Sequence, residues 1–161
     1  MIVVADTSPL RYLVVIEHDF LLPALYGRVL IPPAVADELN HESTPKVVRA
    51  WLAGPPSWLE IRQPAHSLDP AVDLDSGERE AICLAEEVAA DLLLVDEWAA
   101  RMEAERRRLR AIGTLRVLAD GAGGGFCNLE IAFERLRQTN FRVTAELFES
   151  LLDEYRRSKT E

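Results

Sequence analysis

The amino-acid sequence predicts an α/β protein, a three-layer sandwich in which a short, mostly parallel sheet of about five strands lies between helices. Three observations predict it. Two runs, Ile2-Val-Val-Ala5 and Leu92-Leu-Leu-Val95, are apolar throughout, the pattern of strands buried on both faces. Each run ends on an aspartate, Asp6 or Asp96, with a helix signal close behind. Strand and helix signals then alternate along the 161 residues, an order that parallel strands and right-handed crossovers accommodate.

The elements follow in order. After the first strand, Thr7-Ser8-Pro9 is a helix start, a hydroxyl cap with proline at the first helical position, and Leu10, Leu13 and Val14 continue an apolar face. Val29-Leu-Ile31 is the second strand, and Pro32-Pro33 makes the break before a helix over 33–39. Residues 45–52 read as a helix, Pro55-Pro56 as a loop, and Trp58 to Ile61 alternates as a half-exposed edge strand. Asp75, with Glu78 three residues later, has the form of a capping box that opens a helix over 76–89. The strand at 92–95 is followed by a helix over 98–109, a short strand near 110–113 and a helix over 114–120. Gly121 to Gly125 reads as a flexible connector, and two amphipathic helices follow, over about 127–137 and 144–157. In the last of these, Leu147, Leu151 and Tyr155 recur every four residues, a stripe expected to pack on the parent domain or to meet a partner. Residues 1–125 are thus expected to form the principal domain, with 126–161 as a helical extension packed on it.

Composition narrows the class. The chain is 48% hydrophobic and 28% charged, which excludes a disordered protein. Its two cysteines, Cys83 and Cys127, lie in no CxxC, which argues against a disulfide framework and a thiolate zinc site and for a reducing compartment. With no cationic leader and no long apolar run, the expected location is cytoplasmic, with no membrane partner. The net charge of −9 repels nucleic acid overall, so contact with it requires locally concentrated positive charge.

The positions of the acids suggest their chemistry. Asp6 and Asp96 are each the first polar residue after a buried strand, and open parallel sheets bind ligands beyond the carboxyl ends of their strands. An aspartate there also serves as a helix cap, so either one alone is ambiguous. Glu78 shares the helical face of Ala81, Ile82 and Ala85, whereas Glu80 points away. A carboxylate on such a face is costly to desolvate unless something compensates it, and a capping role is the competing explanation. Glu38 lies three residues after Val35 and beside Leu39, on the buried edge of its helix. Four acids on four elements suit Mg²⁺ or Mn²⁺, hard cations that take oxygen ligands. Such a centre activates water and stabilises the charge of an in-line displacement at a phosphodiester. His18, His41 and His66 have no partner at metal-ligand spacing, which argues against a zinc hydrolase.

The segments VVADTSPLRYL, IPPAVADEL, LDSGEREAICLA, LLLVDEWAAR and IGTLRVL, in this order over residues 1–120, resemble the PIN domain family, specifically its small prokaryotic VapC-like group. The resemblance implies a hydrolase, an endoribonuclease dependent on Mg²⁺ or Mn²⁺ that cuts RNA phosphodiesters. Asp6, Glu38, Glu78 and Asp96 fall on the family's catalytic and metal-binding positions, with glutamate at the third where aspartate is usual. Thr7, Ser8 and Glu97 take accessory roles. The resemblance also implies the toxin of a type II toxin–antitoxin pair, with RNA as substrate, an antitoxin protein as partner and a homodimeric state.

Between Arg101 and Arg110 five arginines face two glutamates, directly after Asp96. They form either an RNA-backbone contact, with Arg101 the best placed, or a solvated helix face of ion pairs. The glycine run lacks the Lys-Ser/Thr of a phosphate loop. Two further readings stay open: a phosphotransfer domain using Asp6, although Ser8 stands where haloacid-dehalogenase-like phosphatases carry a second aspartate, and a catalytically inactive binding module of the same fold.

Overall fold

A computed structural model describes residues 1–160 of the chain. Five parallel strands, β1 (Ile2–Ala5), β2 (Arg28–Ile31), β3 (Leu59–Ile61), β4 (Leu92–Leu94) and β5 (Ala111–Ile112), lie in the order β3-β2-β1-β4-β5. The most apolar strand is central: Val3 stands opposite Val29 on one side and Leu92 on the other. The half-exposed Trp58–Ile61 segment supplies the edge strand β3, as its alternation required.

The two-residue periodicity of β1 separates two cores. Val3 and Ala5 join Leu10 and Leu13 of α1 (Thr7–Val15), Leu21 and Leu22 of α2 (Leu21–Tyr26), Val35 and Leu39 of α3 (Pro33–Leu39) and Val48 of α4 (Lys46–Ala53). Val4 faces the other way, with Ala81, Ile82 and Ala85 of α5 (Ser76–Glu87) and Ala100 and Ala104 of α6 (Trp98–Arg106). Helix α7 (Thr114–Gly123), α8 (Leu129–Arg137) and α9 (Ala145–Thr160) return to the first layer through Val117, Phe133 and Phe148. Helices thus cover both faces of the sheet, the architecture the alternating signals predict.

Three local expectations are corrected. Helix α2 was not among the expected elements; its Pro23 lies early enough in this short helix to need no intrahelical donor, and Gly27, at φ +81°, ends the element. The glycine run is not all connector. Helix α7 extends through Gly123, and Gly121 is buried so closely on Leu21 that a Cβ would come within 2.7 Å of its side chain. Glycine here permits helix-to-helix contact, which outweighs its low helix propensity. In α9 Leu151 and Tyr155 pack on the core as expected, but Leu147 is 44% exposed, and the most deeply buried residues are Phe148 and Leu152, one position after Leu147 and Leu151.

Candidate functional site

Asp6 leaves the end of β1 with its N–H donated to Leu94 O at 2.8 Å, so the central strand pair fixes its backbone. It occupies the N-cap position of α1, yet its side chain makes no capping hydrogen bond. The capping explanation for this aspartate therefore fails. Its Oδ1 is buried and accepts no hydrogen bond from any described residue. Burial pushes the Asp6 pKa well up; the Thr7 N–H opposes the shift, and the charges of Asp75, Glu78 and Glu38 reinforce it.

Glu38 reaches the same place from near the end of α3. Thr7 Oγ1 donates to its Oε2 and Gly77 N–H to its Oε1, the latter at 3.2 Å. Gly77 is needed at this point: a Cβ would stand 2.6 Å from Glu38 Oε1. Burial raises the Glu38 pKa, with the Thr7 hydrogen bond pulling against it and Asp75 adding to it.

Asp75 and Glu78 form the capping box that the sequence predicts. Asp75 Oδ1 accepts from Glu78 N–H at 2.8 Å, and Glu78 Oε1 accepts from Asp75 N–H at 3.1 Å. Glu78 is nevertheless only 6% exposed, and burial pushes its pKa up to about 7, against the Asp75 N–H bond and with the charges of Asp75, Glu97 and Glu38. Capping and a place in the acidic group are thus not alternatives for this residue. Glu80, expected to point away, turns to α3 and accepts from Ala34 N–H at 3.2 Å.

One carboxylate oxygen each from Asp6, Glu38 and Asp75 lies within 4.8 Å of the others. Asp75 is the acid that sequence reasoning assigned to capping alone. Its signal was present, since a cap aspartate directs one oxygen at the helix and leaves the second free for other use. All-oxygen donors around a buried carboxylate with an unpaired atom fit a hard divalent cation, which would neutralise the mutual repulsion.

Asp96 is held differently. It follows β4, and its Oδ1 accepts from Thr114 N–H at 2.7 Å. Its Oδ2 accepts from Thr114 Oγ1 at 2.7 Å and Ser8 Oγ at 2.9 Å. Thr114 is fully buried, and Gly113 before it leaves room for the carboxylate, because a Cβ would come within 2.6 Å of Asp96 Oδ1. These two residues were missed as site components; the Gly-Thr pair after a short strand is their only mark in the sequence. Thr7 and Ser8, adjacent in the chain, therefore serve different acids, Glu38 and Asp96. Glu97 is exposed at the start of α6 and acts electrostatically on Glu78.

The arginine-rich helix divides in the same way. Arg106 and Arg107 pair with Glu103, and Arg107 also pairs with Glu86, as a solvated helix face requires. Arg101 is partly buried, its Nε unpaired among the described residues, and its guanidinium lies beside the space at Gly113 that Asp96 fills.

Comparisons with known proteins bear on the fold and the family. No curated protein matches the sequence significantly. The fold resembles a solved PilT N-terminus domain protein from the hyperthermophilic archaeon Sulfolobus solfataricus, with 18% identity over 74% of this chain and 92% of the other, at a TM-score of 0.56. The DUF3368 family profile, described as a PIN domain, matches residues 2–157, which include every acid described above and both C-terminal helices nearly to their end. The chain belongs to the PIN-domain family.

Proposed function

We propose that this protein is a metal-dependent endoribonuclease that hydrolyses RNA phosphodiesters. The observation that carries the reading is Asp6 Oδ1, buried without a hydrogen-bond donor among the described residues, with oxygens of Glu38 and Asp75 gathered close by. Leaving a buried carboxylate oxygen unpaired costs about 1–3 kcal/mol, and a fold keeps such a group where a ligand completes it.

Asp6, Glu38 and Asp75 would hold Mg²⁺ or Mn²⁺, with Glu78 and Asp96 completing the acidic rim. A bound divalent cation supplies a water of lowered pKa and charge stabilisation at the phosphoryl oxygens. The chain's own residues do the positioning. Thr7 and Gly77 N–H fix the two oxygens of Glu38, and Ser8 with Thr114 fixes those of Asp96. Arg101, beside Asp96, offers a cation to a phosphate entering from that side.

The test is catalytic. Purified protein cleaves a fluorescent single-stranded RNA in Mn²⁺ or Mg²⁺, chelation stops it, and Asp6→Asn stops it while the circular dichroism spectrum stays native. Cleavage in chelator, or full activity in that variant, overturns the reading. A melting temperature that does not respond to Mn²⁺ would instead favour an inactive binding module.

The wider assignment belongs to the same proposal: a cytoplasmic homodimer acting as the toxin of a type II pair, inhibited by a small antitoxin protein. Residues 126–161 are, on this reading, an extension of the nuclease domain. Growth arrest on induction, relieved by Asp6→Asn, is the expected phenotype.

A further inference from the structure

The stretch between α8 and α9 has no place in the acidic centre, yet it folds back beside it. Tyr12 OH, on α1, donates to Asn140 Oδ1 at 2.7 Å. The Tyr12 ring meets that of Phe141 edge to face, with centroids 5.0 Å apart. These contacts hold one part of a groove of about 440 Å³ that Ser8, Asp96, Glu97 and Trp98 also line. Arg142 lines it as well.

Trp98 is the unusual member. It stands two residues after Asp96, at the start of α6, and is 68% exposed. Trp51 and Trp58, by contrast, pack against each other and against the core. An indole left in water at the mouth of a polar groove offers a flat apolar face. Next to it stand Asn140, whose amide oxygen is taken by Tyr12 so that its NH₂ remains as a donor, and the Arg142 guanidinium. An aromatic face, an edge donor and a single cation match an unpaired nucleotide: base, base edge and phosphate. They match duplex RNA poorly, because its bases are already stacked on each other. The volume lies within the range of about 300–1,000 Å³ found for small-ligand clefts, enough for a nucleotide.

We propose that this groove is a nucleotide subsite in which an unpaired base flanking the scissile phosphate stacks on Trp98, with Asn140 and Arg142 contacting its edge and phosphate. The proposal rests on the ribonuclease reading, because Asp96 and Ser8 belong to both sites. It gives the protein a requirement for single-stranded RNA. It also explains how a chain of net charge −9 engages RNA: stacking, rather than a broad basic surface, supplies the affinity.

The experiment uses the full chain and a fluorescein-labelled 12-nucleotide single-stranded RNA, with binding followed by anisotropy in EDTA and cleavage followed in Mn²⁺. Trp98→Ala is expected to weaken binding and raise KM about tenfold, and Trp98→Phe to recover most of the loss. Because Trp98 is exposed, the alanine variant should melt with the wild type. The salt slope of log K for binding is expected to be shallow, about −1, reflecting one or two phosphate contacts, and Arg142→Ala should flatten it further. The same sequence as a duplex should bind at least tenfold more weakly.

Equal affinity of wild type and Trp98→Ala, or equal binding of duplex, overturns the subsite even if Mn²⁺-dependent cleavage is robust. Trp98-dependent binding without cleavage in Mn²⁺ or Mg²⁺ supports the subsite and overturns the nuclease reading. Loss of binding in which Trp98→Phe is as poor as Trp98→Ala, while a small partner protein still docks on the wild-type groove, assigns the groove to that protein instead and overturns the proposal.

Discussion

The acids at the two sides of the central strand are prepared in opposite ways. At Asp96 three donors, Thr114 N–H, Thr114 Oγ1 and Ser8 Oγ, surround one carboxylate. At Asp6, Glu38 and Glu78 burial and neighbouring negative charge push every one of the three pKa values up, and Asp6 Oδ1 has no donor among the described residues. The first corner is held by hydrogen bonds supplied by the fold. The second cannot carry several charges unless a cation or protons arrive. The difference separates an acid that the fold surrounds with donors from acids that it gathers with few.

The most direct way to break the comparison is Asp6→Asn. We expect RNA cleavage to fall by about 10³-fold and the Mn²⁺-induced rise in melting temperature to vanish, as read by gel assay and thermal scan. The metal-free variant should be more stable than wild type by ~1 kcal/mol, because repulsion in a buried acidic group has been relieved.

The two glycines sharpen it. Gly77→Ala and Gly113→Ala each force a site carboxylate to move, and a displacement of about 1 Å costs on the order of 10²-fold in rate. The stability responses should differ. Moving Glu38 loosens its Thr7 and Gly77 hydrogen bonds but relieves repulsion from its acidic neighbours, so the melting temperature falls less than when Asp96 is moved off Thr114. Equal melting temperatures would contradict the distinction between the corners.

Thr114→Val conserves shape and removes one hydroxyl donor from a buried carboxylate. We expect a loss of about 1.5–3 kcal/mol in chemical denaturation, with cleavage reduced less than in Asp6→Asn.

The smallest effect is that of pH. Glu78, pushed up from its usual 4.5 to about 7, holds a proton in the folded state at pH values where the unfolded chain has lost it. The folded state is then favoured at the low end of this window, and stability falls as pH rises from about 4.5 to about 7. Asp6 and Glu38, also raised, act in the same direction. Thermal scans of metal-free protein should show this decline, and saturating Mn²⁺ should reduce it.

Much of this was legible before any coordinates. Buried strands announced themselves as IVVA and LLLV, and the aspartates after them lie at neighbouring strand ends because β1 pairs with β4. Helical spacing placed Glu78 on the inner face, where it is buried. What escaped were contacts between distant residues. Nothing near Gly121 in the chain reveals that Leu21 presses on it, and the meeting of Thr114 with Asp96 is a tertiary event. Asp75 was hidden for another reason: a single local role seemed to account for it, although a carboxylate has two oxygens.

The strand order has a consequence for synthesis. Asp6 is made well before Leu94, which pins its backbone, and Asp96 before Thr114, which holds its carboxylate. A nascent chain therefore cannot set the whole group of acids in place until residue 114 has emerged and docked. Translation products cut short just before that point would carry all of these acids without the hydrogen bonds from Thr114 that hold Asp96.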